Sequence, residues 1–250
     1  MHPFRVFAAV LFVLSAVPVR AQELAQTCRA SSSYDVTLEA QALVFDRAAP
    51  APFRVEIHQG TLSTDGAPVR LSAEEQDRMT LFERELRALV PRVRAVATQG
   101  VDMAVRAMRA EVGDAGMSEA TRAEFERRLD EHASDLKQRI AASKSTHDWQ
   151  GDAADRYASQ IATDLMPLLA ADIGQQAIDA ALRGDMQAAA DLRDRAAGLA
   201  SQLEPHLRQR MQALRPQIQA LCPSIQRLAE LQQGVRDGHG HPLDLLQVAP

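Results

Sequence analysis

The chain has 250 residues, 46% hydrophobic and 24% charged, which excludes wholesale disorder and leaves room for a self-sufficient core. Aromatics make up only 4%, against 44 alanines, so an aliphatic, helical core is expected. With 28 basic and 33 acidic residues the net charge is −5, which argues against a broad nucleic-acid-binding surface.

Residues 1–21 have the organisation of an export signal. Arg5 supplies the charged n-region, and an apolar run from Val6 to Val17 follows, interrupted only by Ser15. That run is too short for a stable membrane span. Pro18 breaks it, and Val19-Arg20-Ala21 offers acceptable residues for cleavage after Ala21. Cleavage removes Arg5 and Arg20, so the mature charge becomes −7. Ala25-Gln26-Thr27 before Cys28 lacks the small-residue context of a lipid-anchored cysteine. No later stretch is apolar enough to span a membrane, so a periplasmic, exported chain is expected, with no membrane span after cleavage.

Residues 35–71 alternate as strands. Val36 and Leu38 alternate with Thr37 and Glu39, and Phe53, Val55 and Ile57 with Arg54, Glu56 and His58. Ala48 to Pro52 is a proline-rich loop, and Gln59-Gly60 and Asp65-Gly66 are turn signals. The expectation is an antiparallel meander of three or four strands that needs a helix over one face.

Ser72-Ala73-Glu74-Glu75 opens that helix as a capping box. Met79, Phe82, Leu86, Leu89, Val93 and Val96 form its apolar stripe, with Pro91 inside as a kink, and Gly113 to Gly116 ends it. A second helix starts at Ser118 or Thr121 and carries Phe125, Leu129, His132, Leu136 and Ile140. After the polar break Ser143–Asp152, which holds the only tryptophan, Trp149, a third helix runs from Tyr157 to near Gly184 with Pro167 inside. A fourth spans Asp185 to Leu214. A fifth begins at Pro216 and continues through Cys222, Leu228 and Leu231. Gly234 to Pro250 reads as a loose tail. The 3-4 spacing of the stripes favours antiparallel, coiled-coil-like hairpins. The fold class is α+β, mostly α. The expected organisation is a signal peptide at 1–21, one domain at 22–233 (strand-rich 22–71, helical 72–233) and a flexible tail at 234–250.

Cys28 and Cys222 are the only cysteines. In an oxidising compartment such a pair is expected to form one disulfide, a structural staple with no local CxxC redox character. Chemistry is otherwise sparsely signalled. His239 and His241 are weak metal candidates, because two ligands do not complete a site. His132 reads as a seam residue, and His58, His147 and His206 are isolated. Asp130-Glu131 and Glu74-Glu75 read as solvated helix faces. Arg84, Arg87, Arg92 and Arg94 lie on an ordinary amphipathic helix, offset by Glu83 and Glu85. No nucleophile elbow, zincin, dinucleotide or phosphate-loop motif occurs, so no catalytic residue and no cofactor are assigned.

The signal followed closely by Cys28, the strand region ending in Asp65-Gly66 and Val69-x-Leu71-Ser72, the Phe82-x-x-Glu85-Leu86-Arg87-x-x-x-Pro91 helix and the late Cys222 together resemble the YggN family of bacterial periplasmic proteins, a domain of unknown function. The resemblance covers residues 22–233, whereas the tail with His239 and His241 looks peculiar to this chain. It implies location and architecture only. The leading expectation is a non-enzymatic binding or scaffold protein of the envelope with a periplasmic protein partner. The alternatives are a holdase-type chaperone, gripping clients along exposed stripes of helices one and two, and a hydrolase with dispersed catalytic residues.

Overall fold

The computed structural model describes residues 27–249 apart from 115, 150–151, 195–204, 206–208 and 211. The expected export signal at 1–21, His206 and much of the expected fourth helix lie outside these residues. The described chain is α+β and mostly helical. It divides into two compact units: Arg20–Ala97 with Ala141–Gln150 and Arg215–Pro250, and Thr98–Ile140 with Gly151–Leu214. Stripe positions on helices are local information, but which stripes pair is not, so the division was not readable from spacing.

The first unit is built on a five-stranded antiparallel meander in sequential order, one strand more than expected: β2 (Asp35–Leu38), β3 (Leu43–Asp46), β4 (Arg54–His58), β5 (Thr61–Thr64) and β6 (Ala67–Val69). Two-residue turns join β4 to β5 and β5 to β6. Gln59-Gly60 and Asp65-Gly66 both take positive φ (49° then 80°), the backbone that matches right-handed strand twist. Leu43, Phe45, Val55, Ile57 and Leu62 line one face and are buried. Helix α1 (Ala73–Asp114) covers it with Met79, Phe82 and Leu89. Its start is the capping box expected: Glu75 N donates to Ser72 Oγ (3.3 Å) and Ser72 N to Glu75 Oε2 (2.8 Å). The helix continues through Pro91.

Neither sheet edge is bare. Pro68 sits in β6, and the far edge, β2, is covered by residues 144–146. There Leu38 N donates to Lys144 O and Val36 N to Thr146 Oγ1, both at 2.8 Å. Blocking both edges protects against strand addition.

The expected fifth helix is two: α4 (Arg215–Gln219) and α5 (Cys222–Gln232). Pro223 lacks an N–H and suits only a first turn, so the chain restarts a helix there. The tail is not loose, and this corrects the sequence reading. Val235, Leu243 and Leu245 are buried in the same core as Leu221, Ile225, Leu228 and Leu231, and β7 (Gln247–Val248) pairs with β1 (Ala30–Ser31). The glycines and prolines that suggested disorder instead make turns, as at Gly234 and Gly240 with φ of +81° and +86°.

The second unit is helical. The C-terminal part of α1, α2 (Glu119–Ala142) and α3 (Asp152–Leu182) run antiparallel in turn. Lys137–Asp102 and Arg109–Asp130, each 2.5 Å, set the register of the first pair. Arg128–Asp164 (2.7 Å) and Ser118 Oγ–Asp172 (2.6 Å) set that of the second. Inside lie Val101, Val105, Val112, Phe125, Leu129, Leu165, Leu169 and Ile173. A further helical stretch begins at 186, after a turn at Gly184, and is described to 194.

Candidate functional site

Most titratable groups with shifted acidity are engaged in holding the fold. In the helical unit Glu124 accepts from Arg127 and Arg128, which draws its carboxyl down to about 2. Asp164 is lowered by His132 Nε2 at 2.9 Å and then by Arg128, so His132 is the satisfied seam residue its stripe position suggested. Burial of Asp172 opposes ionisation, yet donors from Ser118, Thr121 and Gln176 outweigh it and lower the carboxyl. Burial, then Asp135, pushes the Tyr157 phenol up to about 12. Asp164, Asp172 and Tyr157 each join α3 to another segment of the unit, whereas Glu124 pairs within α2.

In the sheet unit the same is true of Asp148, which accepts from Ser143 Oγ, Lys144 N and Ser145 N and fixes the covering segment over β2. Its neighbour His147 meets Asp35 at 3.2 Å. Four α1 arginines are ties, whereas Arg84 is exposed and meets only its neighbour Glu85 (3.5 Å). Arg87 pairs with Glu83 (2.9 Å) and donates to Glu39 O (2.8 Å). Arg92 donates to Ser224 Oγ and Ala220 O, Arg78 to Gln233 O, and Arg94 to Ser143 O. The Glu85-Leu86-Arg87-x-x-x-Pro91 stretch thus pins the β2–β3 turn to α1.

Cys28 and Cys222 lie with sulfurs 2.05 Å and Cα atoms 5.1 Å apart, linking the segment before β1 to the first residue of α5. His239 and His241 share a tight loop with Asp237, whose side chain is 1% exposed. Asp237 Oδ1 accepts from the backbone N–H of both histidines (2.8 Å each), and His241 Nδ1 lies 3.3 Å from Oδ2. Burial works against the charge, but these donors prevail and the carboxyl is lowered. The Asp237 carboxylate is spent on its own turn. Among the described residues no group of three or more His, Cys, Asp or Glu side chains is placed to hold a metal. His58 Nε2 is buried without a partner, away from any such group.

What remains is a surface groove of about 570 Å³ between α5 and the C-terminal segment. Gln226 and Glu230 of α5 and Gln233 just after it line one side; Asp244, Gln247 and Val248 line the other. Its floor is ordered by Gln232, a buried side chain whose amide takes both Leu246 N (3.1 Å) and Leu246 O, standing in for a neighbouring strand. Asp244 holds a φ of +42°, which Asp tolerates better than most residues. Sequence reasoning missed these residues because half of them fall in the segment taken for a loose tail. Nothing in their local spacing signals that they converge.

A family model described as "Protein of unknown function (DUF2884)" matches residues 28–242. The match reaches past Gly234 as far as Pro242 and so spans His239 and His241. No curated protein and no solved structure matches.

Proposed function

Because the chain belongs to the DUF2884 family, whose function is unknown, we propose its role from its own geometry: a non-enzymatic binding or scaffold protein of the bacterial envelope, YggN-like and periplasmic. The observation that carries this reading is the α5 groove, which offers amides and carboxylates on an ordered floor but no nucleophile–base pair. The signal-like residues 1–21 and the bonded cysteine pair support export. Among the described residues no helix is long and apolar enough to cross a membrane. The groove is sized for a side chain or short peptide of a periplasmic protein partner. No cofactor enters this reading.

The test is site-specific photocrosslinking in cells. A photoreactive residue at Ala229 or Gln247 should capture a discrete partner, and one at Glu56 on the outer sheet face should not. Equal capture at all three positions would defeat the groove assignment.

A holdase is the second reading, on one observation. Ile178, Leu182 and Met186 are 55%, 81% and 67% exposed in the helical unit. They lie on α3 and the helical stretch after it, whereas the stripes of α1 and α2, where client-gripping surfaces were expected, carry the buried Val101, Val105, Phe125 and Leu129. Purified protein that fails to slow aggregation of an unfolded client at equimolar ratio removes this reading.

A further inference from the structure

The loop that carries His239 and His241 is tied to itself at several points. Arg236 and Pro242 pair as an antiparallel bridge, Asp237 N donates to His241 O (2.8 Å), and Gly240 N donates to Asp237 O (3.1 Å). Gly240, between the two histidines, holds a φ of +86°, the left-handed backbone that returns the chain. Asp237 Oδ1 collects both histidine N–H groups, so the backbone under the rings is fixed while the rings themselves are exposed.

Protonation and distance together make these rings a ligand pair. An ionised carboxylate only accepts, so the 3.3 Å contact with Asp237 Oδ2 puts the ring proton of His241 on Nδ1 and leaves the Nε2 lone pair free. A carboxylate behind an imidazole is the usual support of a metal-bound histidine, because it fixes the ring and raises its basicity. The Asp237 side chain is 1% exposed, so that support is itself held. Imidazole nitrogens bind such ions at about 2.0–2.1 Å and lie about 1.1 Å from the ring centre, so two rings sharing one ion have centroids at most about 6.4 Å apart. The centroids of His239 and His241 are 6.3 Å apart. The loop's arginine, Arg236, donates to Gly240 O, and the Asp237 carboxylate offsets its charge.

We propose that His239 and His241 form a two-imidazole site for a late first-row divalent cation, holding copper(II) tightest, with Asp237 as the positioning residue. Imidazole suits copper, nickel and zinc, and affinity along that series peaks at copper. Among the described residues no third His, Cys, Asp or Glu is placed to join the pair, so water fills the remaining positions and the ion exchanges readily. The site does not depend on the α5 groove.

The test uses the full mature chain without a histidine tag, dialysed against copper(II) sulfate. One copper per chain should be retained, with an electron paramagnetic resonance signal split by two imidazole nitrogens. His239→Gln and His241→Gln keep the backbone N–H groups that Asp237 collects, and each should weaken binding at least about tenfold and leave one nitrogen in the signal. Asp237→Asn turns an amide N–H towards His241 Nδ1, which moves the ring proton to Nε2, and should weaken copper about tenfold with the far-UV spectrum unchanged. Zinc(II), as a diamagnetic probe, should shift the ring protons of His239 and His241 and leave those of His58, His132 and His147 in place. A parent chain that retains no copper overturns the proposal. So does a His239→Gln, His241→Gln double variant that binds like the parent, or zinc shifts centred on other histidines. Copper affinity unchanged in Asp237→Asn overturns the positioning role.

Discussion

Asp237 shows how much a single buried carboxylate can organise when its donors come from its own loop. Its oxygens collect two backbone N–H groups and one imidazole, and thereby hold Val235 and Leu243 on either side in the core. Asp237→Ala leaves both N–H groups without a partner and should cost about 1–3 kcal/mol, read as a lower urea midpoint at neutral pH. The acid dependence has a definite sign. The folded carboxyl is lowered, so its stabilisation is full above the ordinary carboxylate range and is lost as pH falls through the folded value. Asp172 is lowered in the same direction. Asp237→Asn and Asp172→Asn should each flatten the fall of stability between neutral and acid pH; an unchanged slope would remove the carboxylates from that role. Glycine at 60 is a second single-residue dependence. A Cβ there would meet Thr80 Oγ1 and lie 2.7 Å from Gln76 O, whereas one at Gly66 meets nothing, although both have φ of +80°. Gly66→Ala should therefore cost about 1 kcal/mol, the left-handed backbone alone, and Gly60→Ala distinctly more. Equal melting shifts for the two would show that the contact under α1 yields.

At the scale of elements, the readable features were those with local causes. The capping box at Ser72, the two glycine turns and the helix stop after Gly113 follow from backbone preferences within a few residues, and each stands where spacing put it. Glycine and proline density in the tail does not mean absence of structure, because Leu243 and Leu245 within it are buried. The groove was invisible for the same reason, since Asp244 and Gln247 meet Glu230 only after the chain doubles back on α5. The Cys28–Cys222 link was legible from count and compartment, and its placement explains its use. It ties the segment entering β1 to the N-terminus of α5, across a sequence separation of 194. Loop-closure entropy over that length gives an upper figure of about 5 kcal/mol. Unreduced, denatured protein should show no reactive thiol, and Cys28→Ser with Cys222→Ser should unfold at markedly lower urea. Two thiols titrating per chain without reductant would refute the link.

At the scale of the molecule, stability is divided between two cores with different glue. The sheet unit relies on one contiguous apolar cluster, from Leu43 and Phe82 to Leu228 and Leu245, with the disulfide inside it. The helical unit has a thinner interior, in which ion pairs such as Lys137–Asp102 and Arg128–Asp164 set register between helices. Partly exposed pairs of this kind contribute little each and are screened by salt. Trp149 belongs to the sheet unit, where Nε1 donates to Ser143 Oγ at 2.9 Å, so its fluorescence reports that core. Far-UV ellipticity is weighted towards the helical unit, which holds α2, α3 and part of α1. Reduction should therefore move the Trp149 urea midpoint down while leaving the main ellipticity transition nearly in place. Raised salt should act chiefly on the ellipticity transition. Coincident transitions that shift together under both treatments would show instead that α1, continuous from Ala73 to Asp114, binds the two units into one cooperative fold.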